Sequence, residues 1–269
     1  MSSEIHTAEV PAYRYNADDN LMHEWALNFT SRLGDGTGDH EAAYLDMLNL
    51  LIELKRSGSL LDIGGGLGRV TALARGKIAE IVVLEPDVAR FQHCYNAFHD
   101  APTTQVLNQL SSTYIRENPE KQFDLIVLGM VIQHISTNAT ANIIKDAARL
   151  VKPDGVVIIS TTLVPECAKG FSYSNVPHKA YVPQDEFDRY AENSLVQDKG
   201  IPVRRFTEAE LRSAVESDFD VLQWTQFSYY RPERIRWFTK IYNTRVSDLQ
   251  DIGNSQFVVL RRRSRVFDR

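Results

Sequence analysis

A doubly wound α/β fold on a seven-stranded, mostly parallel sheet is predicted by three observations. Short, largely apolar runs, Ser59–Ile63, Ile81–Leu84, Phe123–Gly129 and Val156–Ser160, read as strands, and the fully apolar Ile81–Leu84 has the pattern of a parallel strand covered on both faces. Segments with helical spacing alternate with them, the order expected of βαβ units. A glycine-rich turn, Asp62-Ile63-Gly64-Gly65-Gly66-Leu67-Gly68, leads from the first run into a helix.

In chain order, residues 1–56 read as a cap belonging to the same domain as residues 57–269. Tyr13, Tyr15, His23, Trp25 and Phe29 precede the turn Gly34-Asp35-Gly36-Thr37-Gly38 and an amphipathic helix, Glu41 to Lys55. Such a cap can close over a ligand and exclude water, which makes Tyr13, Tyr15 and Trp25 candidate substrate-binding residues; ordinary packing onto the sheet is the alternative.

The turn after the first strand carries glycine at 64, 66 and 68. Without Cβ the chain can bend sharply at positive φ, and a ligand can lie against the main chain. The dinucleotide fingerprint would need a third glycine at 69, where Arg69 stands, and the phosphate-loop pattern ending in Gly-Lys-Ser/Thr occurs nowhere. A pyrophosphate is therefore disfavoured as the ligand.

The second strand ends at Glu85-Pro86-Asp87. An acid about 20 residues past the first glycine is where a carboxylate can accept both hydroxyls of a ribose. Asp87 suits the start of the following helix, where negative charge meets the positive dipole end.

Gln105–Leu110 reads as a third strand with its exit turn, and Phe123–Gly129 as a fourth. A helix over Thr140 to Val151 stops at Lys152-Pro153-Asp154-Gly155, and the fifth strand follows. A long insertion, about 164–206, holds Tyr173, Tyr181, His178, Lys169, Lys179, Arg204 and Arg205. Flat apolar walls with a few cations suit a planar or anionic substrate, so Tyr173 and Tyr181 join the candidate substrate-binding residues; a satellite hydrophobic cluster is the alternative.

Thr207-Glu208-Ala209-Glu210 has the capping-box pattern of a helix start. Phe219–Thr225 and Gln256–Arg261 read as a sixth and a seventh strand. The second insertion between them, about 228–255, includes Tyr229, Arg234, Trp237 and Tyr242.

The motif Asp62-x-Gly64-x-Gly66-x-Gly68 resembles the first motif of the class I S-adenosylmethionine-dependent methyltransferases. The phrase from Ala148 to Ile159, Ala-Arg-Leu-Val-Lys-Pro-Asp-Gly-Val-Val-Ile-Ile, is similar to the lead-in to the fifth strand of the same family. The resemblance spans about residues 59 to 162 and implies a Rossmann-like methyltransferase fold with S-adenosyl-L-methionine as cofactor. It implies cofactor contacts at Asp62, Gly64, Gly66, Gly68, Arg69, Glu85, Gln109, Leu110 and Gly129. Gly68-Arg69-Val70-Thr71 with Val131-Ile132-Gln133-His134 resembles, more narrowly, the protein amino-terminal methyltransferases, in which an arginine at the position of Arg69 holds the cofactor carboxylate.

Methyl transfer from a sulfonium is an in-line displacement that asks chiefly for alignment in a dry site. A base is needed where the acceptor is a protonated amine or a weakly acidic hydroxyl, and His134, after the fourth strand, is the candidate catalytic residue. A packing role for His134 is the alternative, and His178 is a weaker candidate base. The post-strand residues Leu128-Gly129-Met130-Val131 lack the Asn/Asp-Pro-Pro-aromatic motif of nucleic-acid amino-methyltransferases, and no carboxylate cluster for a metal stands there.

The chain has 269 residues, 43% of them hydrophobic, and a net charge of −5. The negative balance argues against nucleic acid as partner. Two cysteines, Cys94 and Cys167, make neither a disulfide framework nor a zinc site, and the polar amino terminus lacks the apolar stretch of a signal peptide or membrane span. The expectation is a soluble cytoplasmic monomer or homodimer, methylating oxygen or nitrogen of a small molecule. Methylation of a peptide amino terminus, or cofactor binding without methyl transfer, are the alternatives.

Overall fold

Why the ligand-binding edge lies where it does follows from the strand order. In the computed structural model, the described residues are 39–164, 166, 169–173, 181–192, 202–228 and 254–264. Helix α1 (Asp39–Leu54) is followed by β1 (Ser59–Ile63), α2 (Arg69–Ala74), β2 (Glu80–Leu84), α3 (Val88–Phe98), β3 (Thr104–Leu107), α4 (Ser111–Glu117) and β4 (Phe123–Gly129). A 3₁₀ turn (Ile132–His134), α5 (Thr137–Leu150) and β5 (Val151–Leu163) come next. Then follow β6 (Gly170–Tyr173), α6 (Gln184–Glu192), β7 (Pro202–Arg205), α7 (Glu208–Val215), β8 (Phe219–Ser228) and β9 (Asn254–Arg262).

The main sheet has seven strands in the order β3-β2-β1-β4-β5-β9-β8. Strands β1 to β5 pair in parallel, while β9 runs antiparallel to both β5 and β8. Connectivity reverses between β1 and β4, and ligands of open α/β sheets bind outside the carboxyl ends of the strands at that point. The expected fold class is thus the observed one.

Alternation along each strand sends side chains to opposite faces. Leu61, Ile63, Ile126, Leu128 and Val157 pack against Tyr114 and Ile115 of α4, Ile144 and Ala147 of α5, and Leu211 and Val215 of α7. Leu60, Val83, Val127 and Ile158 meet Tyr44, Leu48 and Ile52 of α1, Val70 and Ala74 of α2, and Cys94 and Phe98 of α3. Burial pushes the Cys94 thiol up to about 12, so it behaves as a small apolar side chain.

Around the fifth strand the elements depart from the sequence reading. Helix α5 begins at Thr137 rather than Thr140, because the Ser136 hydroxyl accepts from the Ala139 N–H at 3.2 Å and caps it. Strand β5 begins at Val151, directly after that helix, and the expected stop at residues 152–155 is absorbed as a bulge: Phe123 pairs with Val151, but Leu125 pairs with Val156. Helix α6 and the two-stranded β6–β7 sheet were not anticipated. The acids Asp185 and Glu186 in the first turn of α6, with Phe187, Tyr190 and Ala191 at helical spacing, are the signal that identifies it. The capping box of α7 forms in full, Thr207 and Glu210 each accepting the other's backbone N–H.

Asp124 clamps the sheet's opposite edge. Its Oδ2 accepts from the Ser59 N–H, the Ser59 hydroxyl and the Lys152 ammonium, each at 2.8 Å. Burial raises its pKa, yet these donors outweigh that and hold it at about 2. Asp124→Ala strands the Ser59 N–H and should cost about 2–3 kcal/mol in urea denaturation while leaving ligand affinity unchanged. Because the native carboxyl is the stronger acid, the wild-type contribution is present above the ordinary aspartate pKa and lost as pH falls toward 2, a slope the alanine variant should lack.

Candidate active site

The site is assembled from the carboxyl ends of β1, β2, β3 and β4. Gly64, Gly66 and Gly68 have φ of 73°, 57° and 87°, in the left-handed region that a side chain disfavours. The three positive φ values turn the chain from β1 back toward the start of α2, with Gly68 as the N-cap residue of that helix.

Glu85 fastens this loop. It is buried; its Oε2 accepts from the Gly66 N–H at 2.7 Å and its Oε1 from the Asp87 N–H at 2.9 Å. Desolvation raises its pKa, opposed by those two N–H donors and the positive charge of Arg90. Each carboxylate oxygen has capacity for a second hydrogen bond, so the same group can tie the loop and accept from a ligand's hydroxyls. Asp87 takes the helix-capping role expected of it, accepting from the Arg90 N–H at 2.8 Å.

Asp62 ends β1 with 1% of its surface exposed. Burial, offset in part by Arg69 and by a 3.5 Å hydrogen bond from the Thr71 hydroxyl, pushes its pKa up to about 7. Arg69, the first residue of α2, extends its guanidinium over the face of Tyr44, 5.5 Å from the ring centroid. An acid that is costly to ionise, beside a fixed cation, is suited to a ligand carrying both signs of charge.

At the exit of β3, the Asn108 amide donates to the Glu85 and Pro86 carbonyls at 2.8 and 3.0 Å, tying β3 to β2. Next to it the Gln109 side-chain oxygen is buried and has no hydrogen-bond partner among the described residues. An orphaned acceptor of this kind is matched by an exocyclic amine such as that of adenine. Leu110 occupies the N-cap position of α4.

Strand β4 ends at Gly129. Met130 follows with φ of 60°, a conformation costing a non-glycine residue about 1–2 kcal/mol, and its N–H donates to the Ser160 carbonyl at 2.9 Å. The turn bearing His134 is braced beneath by the Thr161 hydroxyl, which donates to the Gln133 side-chain oxygen at 3.0 Å. The His134 Nδ1 lies 2.8 Å from the Pro202 carbonyl oxygen. A carbonyl can only accept, so Nδ1 carries the proton and Nε2 is the acceptor nitrogen of the neutral ring.

Burial lowers the His134 pKa to about 4, the Pro202 bond opposing it and Arg90 adding to it. His134 should therefore show no NMR titration between pH 5 and 8. Its depressed pKa makes the fold less stable as pH falls from about 6.5 toward 4, where the unfolded chain takes up the proton first.

The β6–β7 sheet and α6 dock onto this turn. The Thr137 N–H donates to Asp188 at 2.8 Å, and the Thr162 hydroxyl donates to the Arg204 carbonyl at 3.0 Å. Inside this module Tyr173 is 6% exposed, its ring edge-on to Tyr190 at 4.6 Å and its hydroxyl donating to Glu186 at 3.3 Å. Tyr181 is exposed, under the Arg205 guanidinium at 5.6 Å. Tyr13, Tyr15, Trp25 and His178 lie outside the described residues, as does most of the 228–255 insertion.

The structure thus brings Asp62, the three loop glycines, Arg69, Glu85, Gln109, Leu110, Gly129 and His134 to one edge of the sheet, with Tyr173 held inside the docked module. Two residues beyond the sequence reading belong to that edge. Arg90 places Nη1 3.7 Å from where a Cβ on Gly66 would lie, and Tyr44 places its hydroxyl 3.0 Å from the corresponding position on Gly129. Nothing in the sequence marks either, since both are ordinary helix residues until the sheet places them. Among the described residues, no group of three or more His, Cys, Asp or Glu is arranged for a metal, and no helix is long and apolar enough to cross a membrane.

A seven-stranded sheet of this order, with a glycine loop on β1 and an acid closing β2, is the architecture of the class I S-adenosylmethionine-dependent methyltransferases. The chain belongs to that class: the profile of a family described as a methyltransferase domain matches residues 38–238. A search of curated protein sequences finds no match.

Among solved structures, the N-methyltransferase NodS from Bradyrhizobium japonicum WM9, in complex with S-adenosyl-L-homocysteine, is 12% identical. Its TM-score is 0.54, over 91% of this chain and 97% of that one. The cyclopropane synthase MmaA2 from Mycobacterium tuberculosis is 14% identical with a TM-score of 0.56, over 96% and 100%. The [4+2]-cyclase SpnF is 14% identical with a TM-score of 0.53, over 80% of each chain. At these identities the likeness is one of fold.

The residues present fit S-adenosylmethionine. Glu85 has spare acceptor capacity, Gln109 offers an unmatched acceptor, and Asp62 with Arg69 offers both charges an amino-acid group requires. The cofactor, when bound, supplies a methyl group on a sulfonium that any aligned nucleophile can displace.

Proposed function

We propose that the protein transfers a methyl group from S-adenosylmethionine to an oxygen or nitrogen of a small, aromatic or anionic molecule. Asp62, Gly64, Gly66, Gly68, Arg69, Glu85, Gln109, Leu110 and Gly129 bind the cofactor in this reading, and His134 faces the acceptor. The observation that carries it is the bond between His134 Nδ1 and the Pro202 carbonyl, which fixes the ring in the tautomer able to accept a proton at Nε2.

With a pKa of about 4 the ring stays neutral at working pH. It can take the proton of an acceptor hydroxyl as the carbon–oxygen bond forms, or the proton that a neutral amine sheds once its carbon–nitrogen bond has formed, and it passes that proton on to water. The docked β6–β7 module excludes water beside it, and its aromatic and arginine side chains, Tyr181 and Arg205 among them, favour a flat or negatively charged acceptor. Tyr13, Tyr15 and Trp25 complete the acceptor pocket in this reading, with Tyr173 holding the module's shape.

Incubation with S-adenosylmethionine labelled on the methyl group, together with cell extract separated into small molecules and proteins, tests it. Label in the small-molecule fraction is the expected result. Label confined to protein amino termini would transfer the reading to peptide α-amine methylation. Label in neither fraction, from a protein that binds the cofactor, would favour binding without methyl transfer.

A further inference from the structure

Gly129, Ser160 and Phe257 form a lateral row across β4, β5 and β9: Gly129 pairs with Ser160, and Ser160 with Phe257. Residues paired side by side point to the same face of a sheet, and here that is the face covered by α1. Tyr44 of α1 lies across this row. Its ring meets the Phe257 ring edge-on at 5.4 Å, and its hydroxyl reaches the Gly129 end, 3.0 Å from the space a Cβ there would fill. Only small residues, glycine and serine, stand between these two ends, so the row is a notch in which the aromatic ring sits, 4% exposed.

Above the notch, the Arg69 guanidinium rests 5.5 Å from the ring centroid, and its charge reaches Asp62. A free arginine samples many rotamers, and ordering it costs a large part of what its hydrogen bonds return. A ring wedged between two strands and a helix meets that cost before any ligand arrives.

We propose that Tyr44 is a positioning residue for cofactor binding: wedged in the Gly129–Ser160–Phe257 notch, it is the platform that holds Arg69 ready for the carboxylate of the cofactor's amino-acid group. Glycine at 129 is then required by the tyrosine hydroxyl as much as by the ligand. This inference rests on the reading in which Arg69 grips the amino-acid end.

Calorimetry with two probes separates the possibilities. S-adenosylhomocysteine carries the amino-acid group, whereas 5′-methylthioadenosine shares the adenosine and sulfur but lacks it. Tyr44→Phe, which keeps the platform, should bind S-adenosylhomocysteine within about 2-fold of wild type. Tyr44→Leu should bind it about 10-fold more weakly, with the methylthioadenosine affinity unchanged. Arg69→Ala should lose more, and adding Tyr44→Leu to it should cost nothing further, because the two residues act as one unit.

Tyr44→Met, which removes the aromatic platform while its unbranched side chain fills more of the notch's length, should give the same selective loss and serves if Tyr44→Leu fails to fold. Equal losses for both probes, no loss for either, or additive effects in the double variant would overturn the inference. Tyr44→Leu changing S-adenosylhomocysteine affinity while Arg69→Ala leaves it unchanged would overturn the Arg69 reading beneath it. Wild-type protein that binds neither probe would overturn the cofactor assignment itself.

Discussion

Replacing Glu85 by alanine is expected to abolish measurable binding of S-adenosylmethionine, a loss of at least about 100-fold, and to lower the melting temperature as well. Both effects come from one carboxylate that serves two ends. In the folded protein it satisfies the N–H groups of Gly66 and Asp87, one from the glycine loop and one from the helix after β2. Alanine leaves both donors facing a cavity, and a buried unsatisfied donor costs about 1–3 kcal/mol. The loop then loses the anchor that shapes it, in addition to the acceptor a ribose would have met.

Glu85→Gln separates the two effects. The amide is nearly isosteric and retains one accepting oxygen, so much of the stability should return, but its NH₂ opposes one of the two N–H donors and affinity should stay low. Isothermal calorimetry and thermal melting on the same preparations check this. An alanine variant that binds the cofactor within a fewfold of wild type would refute the role given to Glu85.

Asp62→Asn should move stability and affinity in opposite directions. The wild-type carboxyl is buried and its pKa is pushed up to about 7, so ionising it works against the fold. Its folded-state pKa exceeds the unfolded value of 3.8, so the native state holds the proton more tightly. The fold therefore loses stability as pH rises from about 4 to about 7 and gains it as pH falls. Asparagine resembles the protonated acid at every pH. At pH 8 the variant should melt at least about 3 °C higher than wild type and should lack that slope.

Affinity should respond the other way. A bound cation favours the ionised carboxylate, so S-adenosylmethionine binding in the wild type releases a proton below pH 7 and tightens as pH rises through 7. Calorimetry in buffers of different ionisation enthalpy counts that proton. Asp62→Asn should release none and bind about 30-fold more weakly, as expected when one partner of a desolvated charge pair is removed. A variant both less stable and unimpaired in binding would contradict this account.

How much of this was legible beforehand depends on how local each cause is. Strand β4 was read at its observed limits because the apolar run Leu125 to Leu128 announces burial on both faces, with Phe123 before it and Gly129 closing it. The capping box at Thr207 and the capping role of Asp87 were equally legible, since the partners lie three residues away. The glycine loop and Glu85 could be paired because the chain distance between them follows from one βαβ unit.

Less local features escaped. The start of α5 at Thr137 depended on Ser136, a cap that apolar spacing does not register. Tyr44 and Arg90 reach the site only through sheet order and helix placement. The tautomer of His134 is decided by Pro202, 68 residues away, in an insertion whose two short strands carry no alternation long enough to read. The partners of Tyr173 were not legible either: its hydroxyl donates to Glu186 and its ring meets Tyr190, both on a helix that the sequence reading did not anticipate.

The carbonyl that orients the imidazole of His134 belongs to Pro202, the first residue of β7, in a two-stranded sheet separate from the main one. Swinging that small sheet outward would free the ring to rotate and to protonate near the ordinary histidine pKa. One hydrogen bond thus couples two things, the protonation behaviour of the imidazole and the seating of the small sheet against it: whatever loosens the second also alters the first.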